Sequence, residues 1–343
     1  MTKIINDLKL DFNNVLIKPR YSDLNSRQDV VLEREFCFKY SKQRLTAVPI
    51  LAANMDTIGR FQVAKVLAKF NMLTVLHKFY SVSDIVGKSR EAYFKNCIVS
   101  SGIRDQDLDR LYKLIKKLSL KIICLDVANG YTQRFLDTVK KVRKDFPKVT
   151  IIAGNVATVE GCRNLIRSGA DVVKVGIGPG SVCTTRKKTG VGYPQLSAIL
   201  ECSQQVHKLG AYVISDGGCV VSGDVAKAFC AGADFVMLGG MFAGHYESGG
   251  DLVVESGKKY KVFYGMSSDY AMEKYYGGVA DYKSSEGKVV KVEYRGRLEK
   301  TVKDLLAGVR SACTYIGAKT IDRMPQQAVF IKVSNQLNTV FGD

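Results

Sequence analysis

The sequence predicts an α/β fold closed into a (β/α)8 TIM barrel, with a long lid insertion after the eighth strand. Three observations support this prediction. Eight short apolar runs follow one another along the chain, amphipathic stretches of helical pattern separate most of them, and several runs end in polar, turn-rich strings. An open doubly wound sheet would also fit this alternation, but eight βα units favour closure into a barrel.

The predicted strands are short and rich in Val, Ile and Leu. They are PILAA from Pro49, MLTVL from Met72, CIVSS from Cys97, IICLD from Ile122, VTIIAG from Val149, DVVKVG from Asp171, AYVISD from Ala211 and DFVMLG from Asp234. The helical patterns include FQVAKVLAKF, YTQRFLDTVKKVRKDF, PQLSAILECSQQVHKL and EKTVKDLLAGVRSACTYIG. We expect residues 1–343 to form a single barrel domain whose active site lies at the C-terminal ends of the strands.

An unusually long insertion separates the eighth strand from the last helix, roughly from Gly244 to Glu299. Within it, LVVESGKKYKVFYG predicts a hairpin and KVVKVEYRGRL predicts a further strand. Long insertions on the catalytic face of a barrel are commonly lids. We therefore expect this segment to cover the site.

Composition indicates a globular protein without a membrane span. The chain has 343 residues, 46% of them hydrophobic, and lacks an apolar run near the roughly 18 residues that a membrane helix needs. Its first segment, MTKIINDLKLDF, lacks the apolar core of a signal peptide. The nine cysteines are scattered without a CxxC pair, which predicts reduced thiols and a cytoplasmic location rather than disulfides or structural zinc.

The formal net charge of +18 allows two interpretations, nucleic-acid binding or a basic surface on an enzyme for phosphorylated substrates. The basic residues are spread along the chain. Their densest cluster, formed by Lys140, Lys141, Arg143 and Lys144, falls on an amphipathic helix, where we expect a solvated face. We therefore do not expect nucleic-acid binding as the main role.

The strongest local signal is the string VGIGPGSVCTTRKKTGVGYPQ, which runs from Val175 to Gln195. Its glycines permit close backbone approach, but a Gly-x-Gly-x-Gly pattern alone is weak. Cys183 follows the glycine turn directly and lies beside Ser181, Thr185 and Arg186. A thiol among amides and an Arg has the setting of a nucleophile, although a small buried hydrophobe is the alternative that fits most of the other cysteines.

Two glycine pairs follow the seventh and eighth strands, in SDGG at 215–218 and LGGM at 238–241. The loops after these two strands are the common phosphate-binding place in βα barrels. Asp216 could accept hydrogen bonds from ribose hydroxyls. Simple tight-turn glycines are the alternative for either pair taken alone.

Acid–base candidates are few. His77, His207 and His245 are scattered, and His207 falls in a helix pattern that indicates a surface or packing role. Glu286 lies in the insertion beside Gly287 and could reach a bound ligand. Taken alone, it is indistinguishable from an ordinary exposed Glu.

Together these strings resemble the GMP reductase branch of the IMP dehydrogenase/GMP reductase family over essentially the full chain. The matching pieces are DLKLDFNNVLIKP, AANMDTIG, CLDVANGY, AGNVAT, VGIGPGSVCTTRKKTGVGYPQLSA, ISDGGC, GGVADYKSSEGK and SACTYIG. The resemblance implies a (β/α)8 barrel, usually a homotetramer, that converts GMP to IMP and ammonia with NADPH in purine salvage.

The resemblance also assigns the chemistry. Cys183 would attack C2 of the purine and form a covalent thioimidate. Thr185 and Glu286 would manage the proton that lets ammonia leave, and NADPH would then deliver hydride to C2 to release IMP.

Binding roles follow from the same resemblance. Phosphate and ribose would contact Ser181, Asp216, Gly217, Gly218, Gly239 and Gly240, and the base would contact Met266, Ser267 and the loop from Lys283 to Gly287. The cofactor would contact Asp126, Val127, Ala128, Tyr282, Ser311, Ala312, Cys313 and Thr314, with Ser26, Arg27 and Lys78 reaching it from a neighbouring subunit.

The resemblance also implies a cation site. Carbonyls of Gly178, Gly180 and Cys183, with Arg186 close by, would form a monovalent-cation site for K⁺. Lys283 departs from the pattern, because Arg is expected there and Lys lacks the planar bidentate fork.

Three other functions are alternatives to the one that this resemblance implies. IMP dehydrogenase shares the barrel and the cysteine, but the regulatory modules usually inserted after its second strand are absent, and the SSEGK string lacks its Arg-Tyr arrangement. A non-enzymatic nucleotide- or RNA-binding paralogue predicts loss of the nucleophile or of the acid–base pair, and both are intact in this sequence. Another phosphate-binding barrel, such as an isomerase, explains the glycine loops but not Cys183 together with Glu286.

Overall fold

Eight short parallel strands close into a barrel in the computed structural model of the protein, which describes residues 3–278 and 284–334. The strands are, in chain order, β1 Val15–Ile17, β2 Arg34–Cys37, β3 Arg44–Ala47, β4 Ile50–Ala52, β5 Leu73–Leu76, β6 Cys97–Ser101, β7 Ile122–Asp126, β8 Thr150–Val156, β9 Val172–Val175, β10 Tyr212–Asp216, β11 Phe235–Leu238, β12 Leu252–Glu255, β13 Lys258–Tyr264, β14 Val289–Glu293 and β15 Phe330–Lys332. Strands β4 to β11 form the barrel, and β11 pairs in parallel with β4, Ile50 opposite Val236, to close it. The predicted α/β barrel is confirmed, and each predicted strand overlaps one barrel strand, although β8 runs two residues beyond its predicted end, to Val156.

Helices alternate with the barrel strands. In the described part of the chain they are α1 Phe61–Leu67, α2 Val82–Lys88, α3 Asp105–Leu118, α4 Gln133–Asp145, α5 Val159–Arg167, α6 Thr185–Thr189, α7 Gln195–Lys208, α8 Ser222–Cys230, α9 Asp269–Tyr276, α10 Leu298–Ile316 and α11 Met324–Gln327. In α4, Phe135, Val139 and Val142 are buried at helical spacing, and the Thr132 side chain accepts a hydrogen bond from the Phe135 amide at the N-terminus. None of the described helices is both long and apolar enough to cross a membrane.

The hairpin of β2 and β3 plugs the N-terminal end of the barrel. Phe36 stacks on Phe235 with ring centroids 4.2 Å apart, and the edge of Tyr212 meets Phe36 at 5.2 Å. Phe235 and Tyr212 are the first residues of their strands. Because this end is filled with apolar side chains, the opposite end, where the strands terminate, is left for a site.

One basic residue of α4 does not lie on the solvated face that the sequence predicted. Arg143 donates to the carboxylate of Asp171 at 2.6 Å, and that carboxylate is 0% exposed. The same guanidinium also donates to the carbonyls of Gly169 and Val149. The prediction for Arg143 was wrong because the helical pattern of α4 gives no information about a buried carboxylate in another segment that requires a cation. Lys140, Lys141 and Lys144 are exposed as expected.

The insertion contains the predicted hairpin and strand. β12 and β13 pair antiparallel, Val253 opposite Tyr260, and β14 adds to β13 with Val262 opposite Lys291. The insertion also contains α9, which the sequence analysis did not predict. The side chain of Ser268 caps this helix by accepting a hydrogen bond from the Ala271 amide.

Candidate active site

Cys183, Thr185 and Glu286 form a hydrogen-bonded chain. The Cys183 thiol donates to Oγ1 of Thr185 at 3.2 Å, and the Thr185 hydroxyl donates to Oε2 of Glu286 at 2.6 Å. All three side chains are partly exposed. This arrangement, called the relay below, gives a thiol proton a path to a carboxylate.

The glycine turn before Cys183 shapes this loop. Gly178 has φ of 85°, a left-handed conformation that favours glycine. A Cβ there would lie 2.6 Å from Cγ of Arg186, so glycine is also required for space. The turn ends with the Cys183 amide donating to the Gly180 carbonyl at 3.0 Å, and α6 then begins at Thr185.

A backbone ladder holds Glu286 against the cysteine loop. The Thr184 amide donates to the Glu286 carbonyl at 2.9 Å, and the Lys288 amide donates to the Val182 carbonyl at 2.9 Å. Between them, Cys183 and Gly287 form an antiparallel bridge. The carboxylate therefore reaches Thr185 because main-chain pairing brings the two loops together.

Two glycine-containing turns, after β10 and β11, meet the cysteine loop that follows β9. Gly217 and Gly218 have φ of 95° and 87°, and a Cβ on Gly217 would lie 3.2 Å from the Gly180 nitrogen. A Cβ on Gly240 would lie 2.8 Å from Oγ of Ser181. These close approaches bring together the turns that follow β9, β10 and β11. Bare backbone with little side-chain bulk suits an anion held by amide groups.

A buried lysine at the end of β9 links two carboxylates. The Lys174 ammonium is 2% exposed; it contacts Asp126 at the end of β7 and lies 3.2 Å from Oδ2 of Asp216 at the end of β10. Burial opposes its charge, but the two carboxylates raise the pKa of Lys174 above its ordinary value. Burial likewise opposes ionisation of Asp126, yet Lys174 holds the pKa of that carboxyl below its ordinary value.

Sequence reasoning did not identify Lys174, nor the two amides that complete this network. Asn155 donates to Asp216 at 2.8 Å, and Asn54 accepts from Lys174 at 3.1 Å. The one available signal was a lysine inside an otherwise apolar strand, since a charge in a buried strand needs a partner.

Comparisons with known proteins agree with this geometry. A family model described as "IMP dehydrogenase / GMP reductase domain" matches residues 9–338. The chain is 54% identical over 347 residues to human "GMP reductase 2", covering 100% of this chain and 99% of the relative. It is 54% identical to "GMP reductase" of Caenorhabditis elegans (99% and 96% covered), and 53% identical to "GMP reductase" of Escherichia coli O81, strain ED1a (99% of both).

The chain belongs to the IMP dehydrogenase/GMP reductase family. The predicted resemblance is thereby confirmed. Within this family fold, those substrate residues of the resemblance that the structure describes lie around the relay. Met266 and Ser267 lie in the turn before α9, and the Ser267 carbonyl accepts from the Glu286 amide at 3.0 Å. Tyr282 and Lys283, expected at the cofactor and the base, lie outside the described residues.

The residues expected at the cofactor form two groups. Val127 and Ala128 follow Asp126 at the end of β7, on the same face as the relay, and Lys78 follows β5 on that face. Ser26 and Arg27 instead lie beside α10, where Arg310 donates to the Arg27 carbonyl at 3.4 Å. The helix α10 also carries the remaining expected residues, Ser311, Ala312, Cys313 and Thr314.

Not every side chain in this second group is free to touch a ligand. Cys313 is fully buried in the hydrophobic core, and Ser311 donates back to the Ala307 carbonyl at 3.0 Å. Ser26 and Arg27 are exposed. Any cofactor contact from α10 would therefore use its partly exposed positions.

The carbonyls expected around a cation lie in the glycine turn and at Cys183, where that turn ends. The Arg186 side chain packs beside Gly178, but its guanidinium bonds elsewhere: it pairs with Asp11 at 2.9 Å and donates to the Tyr193 carbonyl at 2.6 Å. Residues 3–278 and 284–334 contain no His, Cys, Asp and Glu cluster that could hold a metal ion. Main-chain carbonyls of Gly178, Gly180 and Cys183 are a different kind of donor set, suited to a hard monovalent cation.

The three histidines take part in local structure. His207 contacts buried Asp234 at 2.7 Å, and His245 contacts the hydroxyl of Thr301 at 2.7 Å. His77 follows β5, where its ring stacks on Tyr80 with centroids 4.0 Å apart. The relay thus contains a carboxylate where many nucleophile sites use imidazole.

We expect His77 to make the fold less stable in acid. Burial is the largest cause that lowers its pKa from 6.5 to about 4, and its Nδ1 accepts a hydrogen bond from the Phe79 amide at 3.3 Å, which requires an unprotonated nitrogen. Between these two pKa values the unfolded chain binds a proton that the folded chain does not, so stability falls as pH falls. The other charged groups that act on the ring are Asp56, which raises its pKa, and Arg60, Arg110 and Lys274, which lower it.

Urea unfolding at two pH values checks this expectation. From about pH 7 to about pH 5, His77 should contribute a loss of roughly 2 kcal/mol in the free energy of unfolding. His77→Phe keeps an aromatic ring but has no titrating group. Between about pH 7 and about pH 5, its free energy of unfolding should therefore fall by roughly 2 kcal/mol less than that of the unmodified protein. An equal pH dependence in the two proteins would refute the assignment.

Proposed function

We propose that the protein is a GMP reductase, an NADPH-dependent oxidoreductase that converts GMP to IMP and ammonia. The observation that carries this proposal is the relay of Cys183, Thr185 and Glu286, in which a thiol, a hydroxyl and a carboxylate are joined by hydrogen bonds of 3.2 and 2.6 Å. The full-length relatives named GMP reductase in human, worm and bacterium support it. We further propose a cytoplasmic location and a role in purine salvage.

The relay accounts for the covalent step. The Cys183 thiol loses its proton through Thr185 to the Glu286 carboxylate, and the sulfur adds to C2 of the purine. Glu286, now protonated, returns a proton through Thr185 to the 2-amino group, which leaves as ammonia and leaves a Cys183 thioimidate. A bound cofactor would supply the hydride for C2. Cys183 is then the leaving group: its sulfur departs as a thiolate, which frees IMP, and takes up a proton from solvent before the next turnover.

The turns around the relay bind the phosphate, the ribose and the base of GMP. The amides near Gly217, Gly218, Gly239 and Gly240, with the Ser181 hydroxyl, bind the phosphate, and Asp216 binds the ribose. Met266, Ser267, Lys283 and Gly287 hold the base. Lys174 and Asn155 orient the Asp216 carboxylate, because both donate toward its Oδ2.

The cofactor is assigned to residues that fit an anionic dinucleotide. Lys78 has no carboxylate partner within 4.0 Å among the described residues, so its charge is open to an anionic ligand. We propose that Asp126, Val127, Ala128, Tyr282 and Ser311 to Thr314 contact NADPH, with Ser26, Arg27 and Lys78 of a neighbouring copy in a homotetramer. We also propose K⁺ on the carbonyls of Gly178, Gly180 and Cys183.

NADPH should be preferred over NADH. Ser26, Arg27 and Lys78 offer a hydroxyl and two cations for the 2′-phosphate, so kcat/KM should be higher with NADPH. Arg27→Gln should reduce this preference, while Lys208→Gln, an equal charge change at the end of α7, should not. Equal kcat/KM for the two cofactors in the unmodified protein would refute the assignment, and a fully active isolated monomer would contradict the shared site.

IMP dehydrogenase is the second candidate, because the matching family model covers both activities. The two are distinguished by following NADPH absorbance with GMP, and NADH formation with IMP and NAD. We expect NADPH oxidation that requires GMP and releases one ammonia per NADPH. NADH formation from IMP without the first reaction would establish the dehydrogenase instead.

A further inference from the structure

One carboxylate of the barrel gathers three donors from the insertion. Asp56 lies just after β4 and is 3% exposed. Its Oδ2 accepts from the hydroxyl of Tyr264, from the hydroxyl of Tyr275 at 2.6 Å and from the ammonium of Lys274 at 3.1 Å. Tyr264 ends β13, and the other two donors lie in α9. A single buried oxygen therefore holds two elements of the insertion on the barrel.

Two further contacts join the same surfaces. The Asp56 amide donates to the sulfur of Met266 at 3.4 Å. The ring of Tyr275 stacks on Phe79, in the loop after β5, with centroids 3.6 Å apart and planes 8° from parallel. The last turn of α9 is thus fixed to the loops after both β4 and β5.

The segment held by Asp56 is the one that contacts the relay. A Cβ on Gly265 would lie 3.0 Å from Cα of Gly287 and 3.0 Å from the Val182 carbonyl oxygen, so main chain passes closely here. The Ser267 carbonyl accepts the Glu286 amide at 3.0 Å. Residues 264–268 therefore lie between Asp56 on one side and the Glu286 segment on the other.

The hydroxyls of Tyr264 and Tyr275 are stable hydrogen-bond donors for Asp56. Burial, reinforced by Asp56, raises the pKa of both Tyr264 and Tyr275, so both hydroxyls keep their protons at neutral pH. Hydrogen bonds to an ionised group are stronger than those between neutral groups. The second oxygen of Asp56, Oδ1, is buried without a hydrogen-bond partner among the described residues. All three side-chain donors therefore bond to the same oxygen, Oδ2.

We propose that Asp56 is a positioning residue for the reaction: it fixes residues 264–268 on the barrel, so that Met266 and Ser267 meet the purine and Glu286 meets Thr185. The inference rests on the proposed GMP reductase activity. Asp56 is then the fixed attachment point of the insertion, with Tyr264, Tyr275 and Lys274 as the donors, and catalysis depends on that attachment.

Asp56→Asn, Tyr275→Phe and Lys274→Met each weaken the attachment without touching the relay. A displacement near 1 Å at a reacting centre can cost about 100-fold in rate. We expect Asp56→Asn to lower kcat by roughly 10- to 100-fold, with a smaller rise in KM for GMP, and the other two variants to show smaller losses in kcat. Hydrogen exchange of the α9 amides should accelerate in the same order, while the global unfolding midpoint stays near that of the unmodified protein.

The matched control is Glu255→Gln. Glu255 in β12 pairs with Lys291 in β14, within the insertion and exposed, so its loss should leave kcat and α9 exchange unchanged. The inference would be overturned if Asp56→Asn and Tyr275→Phe both kept the kcat of the unmodified protein. It would also be overturned if the variants lost activity only to the extent that they unfold globally. If the unmodified protein itself shows no reductase activity, the proposed function fails, whereas α9 exchange still reports on the attachment.

Discussion

Cys183→Ala is expected to abolish reductive deamination while the protein stays folded and still binds GMP. The reason is that sulfur forms the bond to C2, and the described site offers no second thiol hydrogen-bonded to Thr185. The alanine side chain occupies less space, so the phosphate and ribose contacts should persist. The measurements are NADPH oxidation at saturating GMP and GMP titration of the same sample.

The control for this prediction is Cys37→Ala, which removes an exposed thiol from β2 at the opposite end of the barrel. It should leave turnover unchanged. Substantial turnover in a well-folded Cys183→Ala protein would exclude the covalent route.

Glu286→Gln is expected to slow the chemical step far more than it weakens GMP binding. The amide keeps the size of the side chain and can still accept the Thr185 hydroxyl, but it neither takes up nor releases a proton at neutral pH. A general acid contributes about 10²–10⁴-fold, or roughly 3–5 kcal/mol of barrier. The loss should appear in kcat and in the single-turnover rate constant at saturating NADPH, with the dissociation constant for GMP changed much less.

Thr185→Ala provides the partner for a double-mutant cycle. Because Thr185 lies between Cys183 and Glu286, the two substitutions interrupt the same proton path, and the double variant should lose much less than the product of the single losses. A near-normal rate in Glu286→Gln with badly weakened GMP binding would make Glu286 a residue of base recognition, and Thr185 would then need a different proton partner.

The fold was predictable because its signals are local. A parallel strand buried on both faces is a short apolar run, and the end of each run is marked by glycines and polar residues. The hairpin of β12 and β13 was predictable for the same reason. In contrast, α9 is short and carries Lys and Tyr at mixed positions, so its apolar face is too small to produce a clear helical pattern.

The contacts of the site were less predictable because they join distant segments. Thr185 and Glu286 are 101 residues apart in sequence, and only the family resemblance paired them. Nothing near Asp56 indicates that its partners would come from Tyr264 and Tyr275. Lys174 carried a weak signal, a charge in an apolar strand, but its two carboxylates lie on other strands. Such pairs depend on closure of the barrel, which a local pattern does not encode.

The most direct test of the proposed chemistry is the mass of the Cys183 peptide after a single turnover is stopped by acid. Addition of the thiol to C2 with loss of ammonia predicts that this peptide gains the mass of GMP less that of ammonia, and that the gain is absent in Cys183→Ala. Complete conversion of GMP to IMP in time-resolved samples with no adduct at Cys183, or an adduct on a different residue, would contradict the account.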